Sequence, residues 1–285
     1  MTKLREKMIN AMKLRSFSER TQESYVTAVA AMARFYNESP ERITKEEVQA
    51  YLLYLSEERK LAWSSCNIAV AALRFFYAQV VEREEGAMWI PPRKREIKLP
   101  EILSRQEVER ILCAPTNAKH RTLLLTTYGA GLRVSEVVSL CVRDIESDRM
   151  VIRVRSAKGN KDRYTILSER LLAELRAYWK RERPQVYLFP GTDIERPMSR
   201  SAAQRIYGHA KKSAGVGKKG GIHSLRHAFA THLLEAGVDL CTIGAMLGHS
   251  SIRSTARYLR VSVKHIATVE SPLDLLKLPG TRPLE

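Results

Sequence analysis

Apolar residues in this 285-residue chain recur at three- and four-residue spacing almost throughout, and the two-residue alternation of a strand is confined to Met150 through Leu167. A helix buries a stripe with a period of 3.6 residues and a strand buries every second residue. The pattern therefore excludes sheet-centred folds and leaves a mainly α protein with one small antiparallel β-sheet. In the strand region, 150–155 alternates apolar with basic residues, 158–162 supplies the turn, and 163–167 returns.

The helices divide into two groups. Ser18 caps a helix whose face carries Tyr25, Val29, Met32 and Tyr36. Thr44 and Glu47 form a capping box, with Ile43 and Val48 placed to staple across it, ahead of Tyr51, Leu52 and Leu55. A third helix from Ser64 to about Glu82 is expected to bury Ile68, Leu73, Phe76 and Val80. Residues 1–85 thus read as a helical bundle. Periodicity then fails over 86–100, which holds Pro91, Pro92, Pro100 and the basic cluster Arg93, Lys94, Arg95; this is the expected linker. A second capping box, Ser104 with Glu107, opens a domain covering 101–285, with helices expected over 168–183, 199–212, 223–236 and 239–247.

A formal net charge of +17 points to a polyanionic partner, because each Lys or Arg placed near a phosphate releases a condensed counterion. No apolar run approaches the roughly 18 residues of a membrane span, and Met1 to Arg15 lack the apolar core of a secretory signal. A cytoplasmic protein is expected. Cys66, Cys113, Cys141 and Cys241 form no C-x-x-C pair, which argues against a zinc ribbon or a disulfide framework.

Two segments carry the chemistry. In the first, Y-G-A-G-L-R-V-S-E from Tyr128 to Glu136, Arg133 and Glu136 share a helix face. The second, Gly220 to Tyr258, holds H-S-L-R-H at His223 to His227, L-G-H ending at His249, and Tyr258. His223 and His227 have the i, i+4 spacing of a zinc helix, but Arg226 between them would repel a cation and no Glu follows the first His, so no metal is expected. Two Arg, two His, a turn Lys and a Tyr are what phosphodiester exchange needs. A side-chain oxygen attacks, forked guanidinium groups hold the charge that builds at phosphorus, and a proton reaches the leaving oxygen.

In these motifs the chain resembles the tyrosine recombinase (phage integrase) family, most closely its Xer-like and mobile-element branch. The G-x-G-L-R-x-S-E, K-G-x-K-x-R, H-x-L-R-H and L-G-H blocks and the terminal Tyr occur in the family's order. The resemblance implies a helical core-binding domain over 1–85 and a catalytic domain over 101–285, with a tail from about 262 that docks on a neighbouring protomer. It implies that Arg133 and Arg226 clamp the scissile phosphate, Lys158 protonates the departing 5′ oxygen, His223 assists proton transfer and His249 bonds a non-bridging oxygen. Tyr258 is then the nucleophile that forms a 3′-phosphotyrosyl link, and Glu136 stands behind Arg133 and orients it. Ala157 stands where the family often has Gly, and Lys161 is the alternative to Lys158 and a DNA-backbone contact. Arg93, Lys94, Arg95, Lys211, Lys212, Lys218 and Lys219 are expected phosphate contacts. The implied partners are double-stranded DNA and a homo-tetramer on synapsed DNA, with no cofactor.

Two rivals differ in what they require. A non-catalytic regulator built on 223–247 as a helix-turn-helix has no need of Arg133, Lys158 or Tyr258. A type IB topoisomerase shares the chemistry but relaxes supercoils without a specific site; the separate N-terminal bundle favours the recombinase.

Overall fold

The computed structural model describes residues 3–82, 101–157, 161–249, 251–256 and 258. These fall into two compact units, divided between 97 and 98. The expected linker with Arg93, Lys94 and Arg95, the turn residue Lys158 and the tail from 262 lie outside the described residues.

Among the described residues the N-terminal unit has four helices: α1 (Lys3–Leu14), α2 (Glu19–Tyr36), α3 (Lys45–Glu57) and α4 (Trp63–Gln79). Both sequence-level caps form. The Ser18 hydroxyl accepts from the Thr21 amide, and in the Thr44 box the Glu47 carboxylate accepts from the Thr44 amide at 2.7 Å while Thr44 Oγ1 accepts from the Glu47 amide at 3.3 Å. Ile43 and Val48 are both fully buried beside that box. Thr44→Ala removes one half of the box and is expected to cost about 1 kcal/mol. The check is hydrogen exchange of the α3 amides, which should accelerate; unchanged rates would mean the box contributes nothing.

Two features of this unit differ from the sequence reading. The first helix was not expected: only Met8 and Met12 of α1 are buried, too sparse a stripe among charged neighbours to announce itself. Ile68, expected in the core, is 44 % exposed. The buried stripe of α4 runs through Cys66, Ala69, Val70, Leu73, Phe76 and Tyr77, and Ile68, five residues before Leu73, falls off it.

The C-terminal unit contains α5 (Arg105–Cys113), α6 (Ala118–Gly129), α7 (Val134–Val138), β1 (Ile145–Glu146), β2 (Val151–Ala157), β3 (Lys161–Ile166), α8 (Glu169–Glu182), α9 (Arg200–Ser213), α10 (His223–Glu235), α11 (Leu240–Leu247) and α12 (Ile252–Ala256). The sheet is antiparallel in the order β1-β2-β3. Its β2–β3 hairpin was expected, whereas the two-residue β1 is too short to alternate. Val154 pairs with Arg163, and the register shifts between Val154 and Ala157. The larger core gathers Leu123, Leu132, Val137, Ile152, Phe189 and Leu225. A smaller one holds Phe229, Leu234, Ile243, Leu247 and Tyr258. Among the described residues no helix is long and apolar enough to cross a membrane.

Candidate active site

The site begins where α6 stops. Gly131 adopts φ +63°, and a Cβ there would sit 2.3 Å from the Phe229 ring, so the turn demands glycine twice over. The turn delivers Arg133 to the N-cap of α7. There the Glu136 carboxylate accepts from the Arg133 backbone amide at 2.8 Å and from its Nη1 at 2.7 Å. What reads in sequence as an i, i+3 pair on a helix face is a closed clasp around one helix start.

Two further guanidinium groups meet the same carboxylate. Arg163, on β3, donates Nη1 to Oε1 at 2.9 Å and Nη2 to Oε2 at 2.8 Å, and its Nε donates to the Met246 carbonyl at 2.7 Å. Arg226, in the first turn of α10, lies 3.5 Å from Glu136 Oε2. Its Nη1 donates to the Gly131 carbonyl at 2.8 Å and its Nη2 to the Leu247 carbonyl at 2.6 Å. Side-chain exposure separates the three: Arg226 3 %, Arg163 8 %, Arg133 23 %, so Arg133 is the one that reaches the surface.

Three guanidinium charges around one carboxylate leave the cluster cationic. Burial pushes the Glu136 pKa up, but the hydrogen bonds and charge of Arg163, with those of Arg133, outweigh it and hold it at about 2. Burial, then the neighbouring Arg133, push Arg226 down to about 10, so it stays charged at neutral pH. Because the Glu136 pKa is depressed on folding, its contribution is fully present above the ordinary value of 4.5 and is lost as pH falls toward about 2. That contribution is about 3 kcal/mol. The stability of the native chain should therefore fall across this window, and Glu136→Gln should flatten the dependence there; an identical acid profile would contradict the shift.

His249 follows Gly248, the left-handed cap of α11 at φ +63°. Arg226 Nη2 approaches His249 Nε2 at 3.4 Å, and a guanidinium only donates, so Nε2 is the acceptor and Nδ1 carries the proton toward Thr255 Oγ1 at 2.8 Å. Tyr258 is 2 % exposed, its ring stacked on that of His249 with centroids 6.4 Å apart. The Tyr258 hydroxyl lies 3.1 Å from His227 Nδ1, and the His223 and His227 rings are 5.6 Å apart.

The structure thus brings Arg133, Glu136, Arg226, His249 and Tyr258 together, with His223 one ring removed from Tyr258. Sequence reasoning missed His227, which it weighed only as half of a zinc pair, and Thr255. It also missed Arg163, the final residue of the K-G-x-K-x-R block, to which it gave no role. The half-buried Lys218 turns its ammonium onto the protein, donating to Glu107 Oε2 at 2.6 Å and to the Ile102 carbonyl at 2.7 Å. Lys219 lies in the same loop, its backbone amide on Glu101, and Lys211 Nζ is 3.5 Å from the Gly220 carbonyl. Lys212 ends the exposed side of α9.

Comparison with known proteins identifies the family. The sequence matches the Phage integrase family over residues 101–265 and the family's N-terminal SAM-like domain over 4–86. It is 44 % identical over 288 residues to the putative integrase/recombinase y4qK of Sinorhizobium fredii, covering 99 % of this chain and 92 % of that one. Tyrosine recombinase XerA of Thermococcus kodakarensis is 36 % identical, over 80 % of this chain and 83 % of its own. The fold superposes on a lambda integrase tetramer bound to a Holliday junction with a TM-score of 0.68 at 19 % identity, covering 90 % of this chain and 76 % of that one. The chain belongs to the phage integrase family and is a site-specific tyrosine recombinase.

Proposed function

We propose that the chain cuts and rejoins double-stranded DNA through a covalent link at Tyr258, needing neither metal nor ATP. The observation that carries this reading is the burial of the Tyr258 ring against His249, itself in contact with the buried Arg226, beside a cluster with excess positive charge. A phenol with a pKa of about 10 is a poor nucleophile at neutral pH, and surrounding cations favour the phenolate.

In the proposed step Tyr258 Oη gives up its proton toward the neighbouring imidazoles of His227 and His223 and attacks the phosphorus. The P–O bond to the 5′ carbon's oxygen breaks, that 5′ oxygen takes a proton from Lys158, and a 3′-phosphotyrosyl ester remains. Arg133 and Arg226 hold the non-bridging oxygens where charge accumulates, through fixed donors that need no reorganisation. His249 assists them: when a phosphate oxygen replaces Arg226 as the partner of Nε2, the Thr255 hydroxyl switches from accepting at Nδ1 to donating to it, and the proton moves to Nε2 facing the phosphate. Glu136 orients Arg133, and His223 assists proton transfer. Lys161 stands in for Lys158 or contacts the DNA backbone, along with Arg93, Lys94, Arg95, Lys211, Lys212 and Lys219. The link conserves the energy of the phosphodiester, so a 5′ hydroxyl from another strand reverses the reaction and exchanges strands. As with the lambda integrase tetramer on its junction, four copies acting on paired DNA sites, with tails exchanged from about residue 262, fit this cycle.

The test incubates the native chain with DNA fragments from its genomic surroundings in EDTA without nucleotide. SDS-resistant adducts are expected, with the nucleotide on the peptide containing residue 258; an adduct on another residue, or one formed only with metal, would refute the reading.

A further inference from the structure

Arg163 is a costly residue. Its side chain is 8 % exposed and, unlike Arg226, which donates to two neutral carbonyls, it places both Nη arms on the Glu136 carboxylate and its Nε on the Met246 carbonyl, so its charge is paired within the protein. Space is cleared for it as well: a Cβ on Gly248 would lie 2.7 Å from Arg163 Cδ and 3.0 Å from its Nε. The left-handed φ of +63° already requires glycine at 248, so it is the buried, carboxylate-paired cation that calls for a purpose beyond packing.

Glu136 supplies that purpose. Its Oε1 takes one hydrogen from Arg133 and one from Arg163, while Oε2 takes the Arg133 amide and the second arm of Arg163, with Arg226 standing off at 3.5 Å. The Arg163 fork fixes the plane of the carboxylate and satisfies it. Without that fork, the carboxylate's nearest unsatisfied attraction is Arg226, and an Arg226 neutralised by Glu136 has less charge to offer a phosphate.

We propose that Arg163 is a positioning residue for strand cleavage, holding Glu136 so that it orients Arg133 and leaves the charge of Arg226 free for the scissile phosphate. This rests on the reading of Arg133 and Arg226 as the clamp and Tyr258 as the nucleophile. Arg163 also ties β3 to the start of α7, which bears Arg133, and to the end of α11, whose Leu247 carbonyl receives Arg226, so the hairpin and both supports of the clamp are held in one frame.

The proposal has a signature that a merely structural residue lacks. The charged groups facing Glu136 are Arg133 at the start of α7, Arg163 on β3 and Arg226 on α10, with His249 one step beyond Arg226. In Arg163→Met, burial is opposed by two guanidinium groups instead of three, and the Glu136 pKa rises. Protonation of Glu136 then releases Arg133, so cleavage by the variant falls as pH is lowered through a range where the native chain loses nothing from this group.

The experiment measures single-turnover adduct formation and DNA affinity against pH for native protein, Arg163→Met, Arg163→Lys, Glu136→Gln and the Glu136→Gln/Arg163→Met pair. Arg163→Met should cleave about 100-fold more slowly with affinity within about threefold of native. Arg163→Lys, which keeps the charge but not the fork, should recover part of the rate. The double variant should be no slower than Glu136→Gln alone and should lack the acidic limb. It leaves no carboxylate without its partner, so it keeps the test intact if Arg163→Met folds poorly. Native cleavage rates in Arg163→Met, losses that multiply in the double variant, or a defect confined to DNA affinity would each overturn the proposal while native adducts uphold the reading beneath it. A native chain that forms no adduct would overturn both.

Discussion

Tyr258→Phe is expected to bind DNA as the native chain does and to form no SDS-resistant adduct with it. The substitution removes one oxygen from a ring that is 2 % exposed, and the lost hydroxyl contacts His227 at 3.1 Å. The ring's place beside His249 does not depend on that oxygen. Folding stability should therefore change by about 1 kcal/mol or less, the net worth of one hydrogen bond. Chemistry should be lost entirely, since the attacking atom is gone and no group can replace it. Gel analysis after SDS treatment reads the outcome, with DNA affinity measured on the same preparation. Adducts in Tyr258→Phe at the native yield would remove Tyr258 from the role of nucleophile.

The second large effect is expected at Arg226. Arg226→Met fills the volume but takes donors from the Gly131 and Leu247 carbonyls and a positive charge from beside Glu136. Buried carbonyls without donors are costly, and destabilisation of about 3 kcal/mol is expected. The rate of adduct formation should fall by at least about 1,000-fold, the scale associated with losing a donor aimed at transition-state charge. Thermal unfolding and single-turnover cleavage at a temperature where the variant stays folded separate the two losses. A cleavage rate within about tenfold of native would mean that Arg226 supports the fold and not the phosphate.

What the sequence made legible is what depends on near neighbours. The caps at Ser18, Thr44 and Ser104 use partners three residues away, and the β2–β3 hairpin declares itself through its own alternation. The motifs around Arg133, Arg226, His249 and Tyr258 were legible as motifs, and the fold gathers them. Features that depend on distant partners were not legible. Arg163 meets a carboxylate 27 positions away and a carbonyl 83 away, so its place at the end of the K-G-x-K-x-R block marked it without revealing its partners. Lys218 sits in a basic run, and its ammonium turns toward Glu107, 111 positions earlier. His227 shares its helix face with His223, and which ring meets Tyr258 is decided by where α12 returns the chain.

The carbonyls that grip Arg226 also order events during synthesis. Translation delivers Gly131 long before Arg226, but Leu247 follows Arg226 out of the ribosome and Tyr258 comes later still. A nascent or prematurely terminated polypeptide therefore carries basic surface without an assembled clamp or the proposed nucleophile. On the proposed mechanism such a fragment would bind DNA without cutting it, and cutting would require synthesis to have passed Tyr258.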